Sequence, residues 1–256
     1  MLPAQLEQMR LRGAAAGLNL LGAVDRVRFD ASEPKERRVA AIAPRCGTIV
    51  VLGTGGRWWA SKGQDARGDS SSVAGATSLA AEALAETLRP LGIVVRVLRF
   101  DGGGRVCAAR LGEAAGFGTV SPVSGLLLHP QYGPWLRVRA ALLIDGQPFG
   151  DVPDASIAES FRPCCTCSRP CLAACPASVS DGMGNHDLAA CGTHRHRGGC
   201  ASECATRAAC PLGTEHRDSP QDGVHGHTFE LPTLQRWFGL GAWRAVPKPW
   251  RGGPCG

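Results

Sequence analysis

The sequence predicts an α+β chain: an α/β sandwich with a mostly antiparallel sheet, followed by a small cysteine-bound module. Three observations carry this. Apolar, β-branched runs at 45–54, 93–100, 124–128 and 136–144 read as strands among segments of helical spacing. Nine of the twelve cysteines fall between Cys164 and Cys210. Past about residue 150, regular periodicity gives way to cysteine, proline and alanine.

Taken in order, residues 1–24 have helical spacing through Leu2, Leu6, Met9, Ala16 and Leu20. Residues 45–54 (RCGTIVVLGT) form a buried strand ended by Gly-Gly. Residues 70–92 open on serines suited to an N-cap and continue as an Ala-rich helix that stops at Pro90 and Gly92. Residues 93–100 (IVVRVLRF) are a strand, and 105–115 a short helix with Gly116 just past its end. Two more strands, 124–128 and 136–144, flank a turn, HPQYGP, at 129–134. The expected division is 1–154 for the α/β domain, 155–215 for the cysteine module, and 216–256 for a poorly ordered tail with one short helix at 231–238.

Composition narrows the class. At 44% hydrophobic and 20% charged, the chain reads as soluble and globular. The net charge is +6, but the arginines are scattered and form no basic run, so a nucleic-acid partner is not expected. No run of 18 apolar residues is present, and the N-terminal segment lacks the basic-then-apolar pattern of a signal peptide. The expected location is the cytoplasm, where clustered cysteines point to metal before disulfides.

Residues 164–176 read CCTCSRPCLAACP. The bacterial dicluster ferredoxin run is C-x2-C-x2-C-x3-C-P. Cys171-x3-Cys175-Pro176 matches its end and Cys164-x2-Cys167 its beginning, with one residue inserted between. A second set follows: Cys191, Cys200, Cys204 and Cys210-Pro211. Iron in such clusters takes soft, anionic sulfur, and the cysteine before proline crosses to the other cluster. Crossed ligation assigns Cys164, Cys167, Cys171 and Cys210 to one 4Fe-4S cluster and Cys175, Cys191, Cys200 and Cys204 to a second. Cys165 is the spare or stands in for Cys164. Three alternatives compete: one cluster with a degenerate second site; zinc, for which CGTHRHRGGC (191–200) adds His194 and His196; and disulfides or plain thiols. Cys46, Cys107 and Cys255 are isolated and read as ordinary thiols.

Residues 93–213 resemble the catalytic region of epoxyqueuosine reductases, with cobalamin-processing chaperones and reductive dehalogenases as more distant relatives. The likeness rests on an Asp at a strand end (Asp101), the A-G-F-G turn from Ala115, the H-P-Q-Y-G-P-W turn from His129 to Trp135, and then the cysteine series. It implies a nitroreductase-like α/β domain joined to a dicluster ferredoxin-like module, with clusters that deliver electrons to cobalamin. It makes Asp101 a candidate proton donor and His129, Tyr132 and Trp135 candidate cofactor contacts. Departures are plain. Asp101 stands in D-G-G-G rather than D-S-A-P, and GFGTV replaces the family's G-W-x-G-K. The family's C-terminal helical repeats, which help hold transfer RNA, are not in the 256 residues, so transfer-RNA modification is not the expected activity.

Weaker signals favour structure over chemistry. GTGG (53–56) lacks the helix and Lys-Ser/Thr of a phosphate loop and reads as a turn. Trp58 and Trp59 are adjacent and so point different ways on a strand. Three functions follow: a redox protein whose two clusters feed a cofactor or substrate in the α/β domain, supplied by a donor protein; a simple ferredoxin-type carrier; or a zinc-stapled binding protein without catalysis.

Overall fold

The computed structural model describes residues 4–57, 70–100, 106–200 and 202–217. Asp101, Trp58, Trp59, Cys255 and the expected helix at 231–238 lie outside them.

Four strands form an antiparallel sheet in the order β1-β2-β6-β3: β1 (Leu20–Asp25), β2 (Cys46–Gly55), β3 (Val95–Arg99) and β6 (Leu136–Asp145). A two-stranded ribbon, β4 (Thr119–Val120) with β5 (Leu127–Leu128), lies apart from it. Helices cover both faces. On one side, α1 (Ala4–Ala15) and α3 (Ser70–Glu86) pack Leu6, Met9, Leu84 and Leu88 against Val50, Leu52, Leu142 and Ile144. On the other, α2 (Arg26–Ala31) and α4 (Ala108–Ala114) contribute Phe29 and Leu111, packed with Ile49, Val51, Ala141 and Leu143. Successive strand residues thus serve opposite cores, as a period of two requires, and a sheet covered on both faces reads as an unbroken apolar run rather than an alternating one.

Three expectations need correction. The first helix ends at Ala15, and Gly17 (φ 89°) turns the chain so that Leu20, read as helical, begins an edge strand paired with β2. The strand at 124–128 shrinks to Leu127–Leu128, because Gly125 (φ 70°) closes a turn back onto Ser121. His216 and Arg217, placed in the tail by the expected boundary, pack back: Arg217 pairs with Glu203 at 2.6 Å and His216 meets the Tyr132 ring.

The buried carboxylates hold structure together. Asp30 accepts from the Val39 and Ala40 amides at 2.7 and 3.1 Å. Glu113 accepts from Val120 N at 2.6 Å and pairs with Arg110, which also reaches Glu33 at 3.2 Å. Each carries a matched donor, so none is a poised acid or base.

Beyond Val152 the architecture changes. The short helices α5 (Pro170–Ala174), α6 (Leu188–His196) and α7 (Ala205–Ala208) are joined by turns, and α5 packs on α7. Among the described residues, no apolar side chain after Val152 is fully buried; only Arg195 and Thr206 there are buried among the larger side chains. This segment has no hydrophobic core of its own.

Candidate metal centre and adjoining cleft

The backbone of the cysteine segment is shaped to turn sulfurs inward. Pro163–Cys165 make a single tight turn. Arg169 then adopts a left-handed conformation (φ 59°, ψ 47°) and donates its amide to Cys167 Sγ at 3.3 Å, and Pro170 starts α5 with its ring at a position where no amide is needed. Cys171 rides on α5, whereas Cys175 sits just past its end in extended geometry. Cys191 lies on α6, whose first turn is capped by the Asp187 carboxylate accepting from Ala190 N at 2.9 Å. Cys204 is the N-terminal boundary residue of α7, and Cys210 follows that helix.

The thiols influence one another in two groups. Burial pushes the Cys171 thiol up, with further increases from Cys164, Cys210 and Cys167. Cys210 is raised by burial, against a backbone hydrogen bond from Leu212, and is then raised further by Cys164 and Cys167. Burial raises Cys191 to about 11, with contributions from Cys204, Cys175 and Cys200 and an opposing one from Arg195. Cys171 and Cys210 thus have Cys164 and Cys167 as neighbours, and Cys191 has Cys204, Cys175 and Cys200. All eight are free and partly buried, whereas Cys165 is exposed and disulfide-bonded, which leaves Cys164 as the available thiol of that pair.

A cluster and a single ion ask for different spacings of the donor set. A tetrahedral zinc with bonds of about 2.3 Å would draw four sulfurs to roughly 3.8 Å from each other. Among the described residues no three His, Cys, Asp or Glu side chains gather closely enough to hold one metal ion. In a cubane each sulfur binds a different iron, which spaces the sulfurs further apart. Eight free thiols in two sets of four match in number and softness the donors that two such clusters would need. His194 lies over Gly199, where a Cβ would come within 2.1 Å of its Nε2, and that nitrogen is buried without a hydrogen-bond partner. It is the one described nitrogen that the zinc alternative retains.

A cleft of about 260 Å³ lies at the rim of the sheet. Ser121 Oγ lies 3.2 Å from Cys164 Sγ. The same turn hydrogen-bonds to Ser180 through Val123 O and carries His186 against Gly125. Gly125, Leu126 and Leu127 then line the cleft, together with Phe100, Arg99, Arg137, Arg139 and Arg207. The register of β2 on β6 slips between Leu52 and Gly53, next to Arg139, and such bulges redirect side chains near functional sites. Arg207, from α7 of the cysteine segment, has its Nε buried and unpaired there. Neither Ser121 nor these arginines stood out in the sequence. The arginines are dispersed along it, and Ser121 is one serine among several.

The H-P-Q-Y-G-P-W turn holds the three residues expected as cofactor contacts. His129 Nδ1 accepts from the Gln131 and Tyr132 amides at 3.0 and 3.2 Å, and its ring stacks on Tyr132 at 4.6 Å. Burial, then the nearby His216, lowers the His129 pKa, in keeping with a neutral ring. Gly133 (φ 54°) touches Leu212, where a Cβ would stand 2.2 Å from the Leu212 oxygen. Trp135 is buried with its indole nitrogen unpaired. His129, Tyr132 and Trp135 do not line the cleft, although Pro134 and Leu136 do. The turn is a docking surface for the chain just after Cys210-Pro211.

An α+β sandwich with a cysteine-rich annex beside a cleft at the sheet's rim defines the class. Solved structures of similar fold include reductases. An epoxyqueuosine reductase bound to a modified tRNA stem loop superposes with a TM-score of 0.59 at 16% identity, covering 86% of this chain and 68% of that one. The Bacillus subtilis epoxyqueuosine reductase, with its catalytic aspartate loop swung out of the active site, gives 0.56 at 14% identity, over 90% and 82%. A reductive dehalogenase described for B12-dependent dehalogenation gives 0.54 at 16%, over 98% of this chain and 42% of that one. The chain thus has an epoxyqueuosine reductase-like fold at low sequence identity. No protein-family model matches it, and no curated protein matches it by sequence. Because one neighbour holds a nucleic acid, the fold gives no ground for ruling such a partner out, contrary to the expectation from composition. No helix among the described residues is long and apolar enough to cross a membrane.

Proposed function

We propose that the protein is an iron–sulfur reductase that works on a small substrate in the cleft beside Ser121 and Arg207. Cys164, Cys167, Cys171 and Cys210 would hold one 4Fe-4S cluster and Cys175, Cys191, Cys200 and Cys204 the other, so that residues 155–215 form the ferredoxin-like module. Such clusters, when bound, supply electrons one at a time. The observation that carries this reading is the contact from Cys164 to Ser121, whose turn continues into the cleft wall. It makes the first quartet the one nearer the substrate and leaves the second for an external donor protein, in a reducing compartment such as the cytoplasm.

The chain's own residues have separable tasks. Arg99, Arg137, Arg139 and Arg207 line the cleft and favour an electron-rich or anionic substrate. Asp101 follows Phe100, a cleft residue, and is the proposed proton donor, since reduction must deliver protons with electrons. That the Bacillus subtilis neighbour is described with a catalytic aspartate loop supports this role. The cleft, at about 260 Å³, is smaller than ordinary ligand pockets, which start at about 300 Å³. A corrin ring with its side groups is larger, so nothing in the reading depends on cobalamin, and its co-purification is the check.

Anaerobic purification with iron, sulfide and zinc analysis tests the main claim. About eight irons per chain with a broad absorption near 400 nm are expected, eight being two four-iron clusters. A colourless protein with stoichiometric zinc overturns it. Asp101→Asn should keep the clusters and abolish reductive turnover. Wild-type turnover in that variant would assign Asp101 to the turn alone and favour a plain electron carrier.

A further inference from the structure

Ser121 is among the most deeply buried polar residues of the chain, at 1% exposure, yet no motif predicted it. Its backbone is pinned: the amide donates to Leu126 O at 2.8 Å, and the carbonyl accepts from Gly125 N at 2.9 Å. Its hydroxyl makes three contacts. Oγ accepts from the Val123 amide at 3.2 Å and from the Ser124 amide at 3.0 Å, and it lies 3.2 Å from Cys164 Sγ. A hydroxyl has two lone pairs and one proton. Both amides can only donate, so they occupy the two lone pairs. The proton is left for sulfur, and a metal-bound thiolate can only accept it.

We infer that Ser121 is a positioning residue that donates one fixed hydrogen bond to the Cys164 sulfur and thereby raises the reduction potential of the cluster nearer the cleft. This rests on the proposed reading of Cys164 as a cluster ligand. The physical reason is charge. Reduction adds an electron that is partly borne by the ligand sulfurs, and a donor aimed at one of them favours the more negative state. Hydrogen bonds to the sulfurs are among the factors that set such potentials. Two pinned amides hold the hydroxyl in direction, so the donor does not turn away to water. The effect falls on the cluster that Cys164 would ligate.

The test is an EPR-monitored redox titration of the anaerobically purified protein with dithionite. In Ser121→Ala, one cluster should become harder to reduce, with the reduced-to-oxidised ratio at fixed potential falling on the order of tenfold, about 59 mV for one electron. The other cluster should stay in place. Ser121→Thr should restore the wild-type value. Ser180→Ala removes another contact to the same turn without touching a sulfur and should shift neither cluster. If Ser121→Ala loses iron, Ser121→Cys, which keeps the volume with a weaker donor, should give a smaller shift in the same direction. Two intact clusters with unchanged potentials in these variants overturn the inference and leave the proposed function standing. A protein without iron–sulfur clusters overturns both.

Discussion

The α/β layer and the cysteine segment are stabilised by different means. In the sheet, Ile49, Val50, Val51, Leu52, Leu142, Leu143 and Ile144 are all at most 1% exposed, and helices seal both faces. Burial of that kind is self-sufficient, because the apolar area removed from water offsets the ordering of the chain. The cysteine segment offers half-buried thiols, orphaned nitrogens on His186, His194 and Arg207, and helices of four to nine residues. Helices this short are marginal alone, and no apolar core replaces what they lack. The difference teaches where the free energy comes from: in the first region it is in the side chains, and in the second, on the proposed reading, it would come from the bound clusters.

The largest expected effect tests that directly. Removing iron with a chelator under reducing conditions should abolish amide protection through α5, α6 and α7 while leaving β1, β2, β3 and β6 protected, as read by hydrogen exchange. Equal protection of the segment with and without iron would erase the distinction. The next test concerns the quartets. Cys171→Ala and Cys210→Ala should each lower iron by about half, and the double variant no further, because both serve one site although 39 positions separate them. Additive loss would mean that the two sulfurs belong to different sites.

The converse experiment removes packing without touching sulfur. Leu142→Ala, at a fully buried site, should destabilise the α/β layer by about 2–5 kcal/mol in urea, with iron per folded chain unchanged. The smallest effect is in pH dependence. Cys46 is buried in β2, and desolvation raises its thiol from an ordinary 9.0 to about 11. A raised thiol contributes stability that is complete below pH 9 and is lost as pH rises through 11, since the unfolded chain ionises first. In cluster-free protein, the stability difference between wild type and Cys46→Ala should therefore narrow between pH 9 and 11. A difference constant across that range would show that Cys46 is not protected by the core.

The sheet's central strands were legible because 45–54 and 136–144 carry continuous apolar runs, IVVL and AALLI, as a strand between two covering layers does. The edge strand Leu20–Asp25 was not, since LLGAVD has neither alternation nor β-branched density, and only pairing with β2 makes it a strand. The series of cysteines was legible from its spacing and from Cys175-Pro176 and Cys210-Pro211. The H-P-Q-Y-G-P-W turn was legible as a feature, but its packing against the cysteine segment was not. Its docking on Leu212 depends on a chain segment some 80 residues away.

The sequence by itself determined the periodicities of the core strands and the series of thiols, because local spacing and soft-donor chemistry are properties of a short stretch of chain. Tertiary structure alone decided which groups from distant stretches meet. It set Ser121 against Cys164 and brought Arg207 of the cysteine segment to the cleft wall beside Arg137 and Arg139 of the sheet. No spacing rule encodes those contacts, because each depends on how two separately formed regions pack against each other.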